Sequence, residues 1–339
     1  MRHALAMAAI LCLTVVTGLK GQEGPYHAGP VIPIGGEGGW DYLSIDSAAH
    51  RLYVSHATHV VVIDTQTNKV VGDIPDTPGV HGVATSADLG RGFVSNGRGN
   101  NSSIFDLKTL KLIQKVETGE NPDWILYEPS KKEVYTMNGR GKSATVFDAT
   151  TGKVVATIPL EGKPETAQAD SKAGKIYVNM EDLNSVKVID IATHKVSATW
   201  PAAPCESASG MAFDLTNHRL FLGCDNKLLV MMDSTNGKVV YSVPVGEGVD
   251  STWFDPQTKL AFTSNGGAGT VSVAHEDSPS VLKIVQTIKT VRGARTMALD
   301  PATHTIYLAA TDYEPQAPGS KDRPKAVAGT FRVLTYQMK

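Results

Sequence analysis

Apolar positions in this chain come in short runs of β-branched and aromatic residues, each closed at both ends by Asp, Asn, Gly, Thr or Lys. Runs this short make poor helices and fit strands joined by tight turns. Residues Lys175 to Trp200, KIYVNMEDLNSVKVIDIATHKVSATW, show the unit: Ile176–Asn179, Val186–Ile189 and Lys195–Trp200 read as three strands linked by two turns. The 3.6-residue period of a helical solenoid is absent.

The unit recurs. The aromatic residue of its second strand returns as Tyr53, Phe93, Tyr135, Tyr177, Phe221, Phe262 and Tyr307, at steps of 40, 42, 42, 44, 41 and 45 residues. Seven residues before each anchor stands a polar turn-former: Asp46, Ser86, Glu128, Asp170, Asp214, Asp255 and Asp300. Third strands end at Asp64, Asp106, Asp148, Asp190 and Asp233, most of them followed by a Thr-Asn-Lys or Thr-Gly-Lys type of turn. Val60–Ile63 and Leu228–Met232 are apolar on both faces, as strands sandwiched between neighbouring sheets must be.

A helix-free, four-stranded unit of this period is the blade of a β-propeller. Seven anchors therefore predict an all-β fold of seven four-stranded antiparallel blades. After Tyr307 the sequence offers one further strand, Thr330–Tyr336, so the last blade lacks its outer strand. Val31–Asp41, VIPIGGEGGWD, resembles Val243–Asp250, VPVGEGVD, at the outer end of the fifth blade. The N-terminal strand is thus expected to close the last blade and to remove its open edge.

The segments KIYVNMEDLNSVKVIDIATHKVSATW and EVYTMNGRGKSATVFDATTGKVVATIPLEGKPE resemble the YVTN-type repeat of YncE-like seven-bladed propellers, over nearly the whole chain after residue 21. The resemblance implies a secreted or periplasmic binding or surface-layer protein. Its relatives include cytochrome d1-type and lactonase-type propellers, and single-stranded nucleic-acid binding is a further possibility it permits. The chain has no Cys-x-x-Cys-His, which removes support for the haem branch.

Arg2 and His3 precede an apolar run, Ala4–Val16, that fits a secretory signal over residues 1–21 and leaves residues 22–339 as one propeller domain. A periplasmic or secreted monomer with no membrane span after cleavage is expected. A net charge of −2, with no basic run, argues against a nucleic-acid groove. In an exported chain the pair Cys205 and Cys224 reads as a disulfide, with Cys224 placed opposite Ser209.

Candidate chemistry lies five residues before each turn-former, at the start of the innermost strand: Asp41, His81, Asp123, Glu165, Ser209, Asp250 and Arg295. A common register should gather these seven around the mouth of the axial channel. One reading is a charge-compensated collar. The other is a ligand site formed by Asp41, His81, Asp123, Glu165, Asp250 and Arg295, for a small molecule or a protein. No cofactor is called for, although carboxylates beside an imidazole could take a divalent cation. A lactonase-like or other metal-dependent hydrolase is the enzymatic alternative.

Other features carry less. Asn96-Gly97, Asn138-Gly139 and Asn265-Gly266 read as hairpin turns needing positive φ, with Arg98 and Arg140 as solvated charges beyond two of them. Trp40, Trp124 and Trp253 lie near the ring, with packing roles for at least two. His56 and His59 read as solvated or capping residues. Thr311–Gly329, rich in Pro, Lys and Asp, is a long loop positioned to cover the funnel.

Overall fold

The structure, a computed structural model, describes residues 24–315 and 324–339. The expected signal at 1–21 lies outside them. Among the described residues no helix is long and apolar enough to cross a membrane.

Seven antiparallel sheets succeed one another along the chain, the first being Leu43–Asp46, Arg51–His56, His59–Asp64 and Lys69–Ile74. Blades two to six repeat it between Val80 and Lys289, and blade seven uses Met297–Asp300, Thr305–Ala310 and Arg332–Met338. Each anchor aromatic sits in a second strand and is at most 3% exposed. Burying such a side chain is worth roughly 2 kcal/mol. The core lies between blades rather than within them: Tyr135, Met137 and Val146 of blade three pack on Ile176, Val178 and Ile189 of blade four.

Turns are held as their sequence suggested. Asp64, Asp106, Asp148, Asp190 and Asp233 each accept a hydrogen bond from a backbone N–H two or three residues on. Asp46, Glu128, Asp170, Asp214, Asp255 and Asp300 do the same between the first and second strands.

The ring closes through the N-terminal segment, but with different bounds. Tyr26–Ala28 and Ile32–Pro33 both pair with Arg332–Met338, whereas Val31 is exposed and residues 34–41 form the exit loop. Between the two short strands Gly29 N donates to Thr335 O and Thr335 Oγ1 to Pro30 O, at 2.8 and 2.6 Å. Tyr26 also reaches the neighbouring blade: it meets Phe262 edge-on, and its backbone N and O both bond the Gln286 side chain.

Cys205 and Cys224 are joined by a disulfide with their Cα atoms 5.4 Å apart. Cys224 pairs with Ala208, one residue from the expected Ser209, because the register breaks between Ala208 and Met211. That break is one of a series.

Candidate functional site

In five blades the innermost strand carries a β-bulge at its first turn. The breaks fall between Val80 and Val83, Pro122 and Trp124, Pro164 and Ala167, Ala208 and Met211, and Val249 and Ser251. His81, Asp123, Glu165, Ser209 and Asp250 lie inside these bulges. A bulged residue is released from the ladder and can be re-aimed. Asp41 and Arg295 lie just ahead of their strands, Leu43–Asp46 and Met297–Asp300. Two residues before the ring position, Gly79, Asn121, Ser207, Gly248 and Gly293 are left-handed, which turns the chain into the bulge.

The charged side chains form a continuous series. Asp250 Oδ2 stands 2.9 Å from Arg295 Nε, and Arg295 Nη2 is 3.9 Å from Asp41 Oδ1. Asp41 Oδ2 and Asp123 Oδ1 both face Nδ1 of His81, at 2.5 and 3.2 Å. Glu165 is held by Lys163 Nζ at 2.5 Å and by the hydroxyl of Tyr42 at 3.3 Å, and Lys163 also contacts Glu181. Ser209 stands apart, donating its hydroxyl to Val249 O at 2.9 Å. Asp41, His81 and Asp123, from three consecutive blades, each offer one ligand atom, and these atoms lie within 4.8 Å of one another.

Burial and charge act together here. Burial pushes Asp123 up to about 6, with Asp41 adding to the effect and His81 and Lys163 opposing it. Asp250 is pushed up to about 7 by burial against the pull of Arg295, and burial raises Glu165 as well. Burial works against a charged His81 ring, but the hydrogen bond to Asp41 and the charges of Asp123 and Asp41 outweigh it and hold the ring at about 9.

Beside the ring, between blades six and seven, opens a cavity of about 830 Å³ lined by Asp250, Gly266, Arg292, Arg295, Tyr313 and Glu314. Its outer wall is the start of the Thr311–Gly329 loop, whose described flanks pair through Glu314 N to Lys325 O and Val327 N to Asp312 O, at 2.8 and 2.9 Å.

Two readings of neighbouring residues change. Asn96, Asn138 and Asn265 end second strands, and none of the Asn-Gly residues has positive φ; the left-handed residues are Asn100, Lys142 and Gly269, four positions after each Asn. The glycines serve the ring instead. A Cβ on Gly97 would overlap the His81 imidazole, and one on Gly266 would come within 2.7 Å of Arg295 Cβ. The asparagine amides are buried and bond third-strand hydroxyls, as Asn138 does to Ser143 and Thr145. His56 is buried, stacked on Phe331 at 4.5 Å and 3.3 Å from His59, and burial followed by the His59 charge pulls its pKa down to about 4. Its strand end is roofed by the N-terminal exit loop at Gly36, which its sequence neighbours do not reveal.

Trp124 and Trp253 donate to Ala167 O and Met297 O in neighbouring blades, at 3.1 and 2.7 Å. Trp40 stacks on Phe331 at 5.2 Å and meets Tyr313 at 6.4 Å, tying the start of the Thr311–Gly329 loop to the segment that leads into Asp41. Arg98 and Arg140 are exposed. Sequence reasoning missed Tyr42, Lys163 and Asn121. Lys163 and Asn121 occupy the position two before the ring, so extending the register by two residues would have found them.

No protein-family model matches the chain, and none of the curated proteins does. The chain is similar in structure to hydrazine synthase of Kuenenia stuttgartiensis, at 16% identity and a TM-score of 0.69, covering 87% of this chain and 95% of that one. At that identity the likeness supports the propeller fold alone.

Proposed function

We propose that the protein is an exported binding module of the YVTN-repeat, YncE-like kind whose funnel takes up a small polar ligand bearing a positive charge. The observation that carries this reading is the charge imbalance at the mouth. Among the described residues Asp41, Asp123, Glu165, Glu181 and Asp250 are paired with His81, Lys163 and Arg295, and Asp123 and Asp250 sit above the usual carboxylate range. A cationic group placed among them would relieve that repulsion. The adjoining cavity of about 830 Å³ has the size of small-molecule sites, which run to about 1,000 Å³. The Cys205–Cys224 disulfide fits an oxidising compartment.

The test is calorimetric titration with a panel of small primary, secondary and quaternary amines. Saturable binding of at least one amine is expected, with proton release detectable by changing the buffer, because a cation lowers the carboxyl pKa values. Asp250→Asn and Asp41→Asn should each weaken it about tenfold or more. An amine bound equally well by both variants, or no amine bound at all, would refute the reading.

A further inference from the structure

The geometry points to a divalent metal site at Asp41, His81 and Asp123, suited to a first-row ion such as Zn²⁺; it deepens the funnel reading by supplying the positive charge the mouth lacks. Three features support it. The first is convergence: two carboxylates from separate blades aim at the same imidazole nitrogen, Nδ1, at 2.5 and 3.2 Å. One N–H points well at only one acceptor, whereas an ion between the three can bond all of them. Bonds of about 2.0–2.2 Å hold ligand atoms roughly 3–3.5 Å apart. The His81–Asp123 separation already falls there, while the Asp41 carboxylate has to back away from His81 and the set, whose ligand atoms lie within 4.8 Å of one another, has to draw in around the ion.

The second feature is the support behind the ring. With Nδ1 facing the carboxylates, the other nitrogen lies on the side of the Asn121 side chain: a Cβ built on Gly97 would stand 2.3 Å from His81 Nε2 and 2.9 Å from Asn121 Oδ1. A partner on the far nitrogen is what fixes the tautomer and orientation of a metal-ligating histidine. Gly97 makes room for this arrangement, since a Cβ there would overlap the imidazole. Asp41 is fixed through its backbone, its N–H donating to Ser55 Oγ at 2.6 Å and its carbonyl accepting from Thr296 Oγ1 at 2.7 Å, which leaves the carboxylate torsion free to adjust.

The third feature is chemistry and access. Two carboxylate oxygens and one imidazole nitrogen neutralise a dication and suit the borderline ions. The three side chains keep 12 to 23% of their surface exposed, so further coordination positions remain open toward the funnel.

The test uses the full chain after dialysis against a chelator, titrated with ZnCl₂ at pH 7.5. One ion per chain is expected, with a rise in melting temperature as binding favours the folded state. His81→Gln and Asp123→Asn should weaken binding at least a hundredfold, Asn121→Ala about tenfold, and the exposed Asp182→Asn not at all. Should the ring variants fail to fold, histidine-labelled wild-type protein decides: Zn²⁺ must shift the His81 ring resonances and leave those of His194 and His304 in place. No zinc bound, unchanged affinity in His81→Gln and Asp123→Asn, or an unmoved His81 signal overturns the site. Amine binding by the zinc-free protein with no zinc uptake sinks the metal site alone, whereas zinc uptake without amine binding sinks only the amine reading.

Discussion

At the scale of single residues, the buried ionisable groups set how stability answers to pH. His81 is held at about 9, against about 6.5 for a free imidazole. The folded state therefore binds its proton more tightly than the unfolded chain. Its contribution is complete below about 6.5 and is lost as pH rises through 9. The melting temperature is expected to fall between pH 7 and 9.5, and to fall less in His81→Gln; equal slopes in scanning fluorimetry would show that the ring pairing adds nothing. Glu276 makes a cleaner case away from the funnel. Burial and the neighbouring Asp214 push it up to about 7, so its ionisation costs stability as pH climbs from about 4.5 through 7. Glu276→Gln keeps an acceptor for Asn217 and removes the charge. It should stabilise the protein by about 1–2 kcal/mol at pH 8 and have little effect at pH 4 in urea titrations. The funnel residues were legible in the sequence because each keeps its distance from a turn-former. The Glu276–Asp214 pair was not, because the partners stand on different blades and only Asp214 belongs to the repeat: where Glu276 stands, other blades carry Thr65, Leu107, Ala149, Ile191 and Ser234.

At the scale of the element, the repeat announces itself through what each strand must do at its ends. Aspartates that close third strands were readable as turn-formers, and in blade three Asp148 Oδ1 accepts from Thr150 N, Thr151 N and Thr151 Oγ1 at 3.0, 2.6 and 2.8 Å. Asp148→Ala leaves two backbone donors to water and should cost about 1 kcal/mol in equilibrium unfolding, with Asp148→Asn recovering about half. A loss below the error of the measurement would mean that the hairpin is held by its strands alone. The bulges were invisible at this scale. Sequence position shows that His81 or Glu165 begins a strand, but an alternating pattern implies regular pairing, and nothing in it signals that Val80 and Val83 pair while His81 is set free. The same blindness misplaced the partner of Cys224 by one residue and assigned the Asn-Gly pairs to positive φ. In each case the departure lies in how a strand begins or ends, which the apolar pattern does not encode.

At the scale of the whole molecule, the seven-fold count was plain because anchor spacing survives every local irregularity, while the extent of the closing strand was not. Tyr26–Ala28 is three residues long, bounded by Gly24-Pro25 and Gly29-Pro30, and carries no pattern that reads as a strand. It is stabilised by what it touches. Tyr26 is 2% exposed, packs on Phe262, and is bracketed by Gln286, whose Nε2 donates to its carbonyl at 2.7 Å while Oε1 accepts from its N–H at 2.9 Å. The segment therefore fastens blade seven to itself and to blade six, and closure depends on both attachments. Tyr26→Ala removes the packing and should cost about 3–5 kcal/mol. Gln286→Ala strands two buried backbone groups and should cost about 1–3 kcal/mol. Because both act on one attachment, the double variant should lose less than the sum of the single losses when unfolding is followed in urea. Additive losses would mean that the strand is held by its ladder to Arg332–Met338 alone, leaving the contact with blade six incidental to closure.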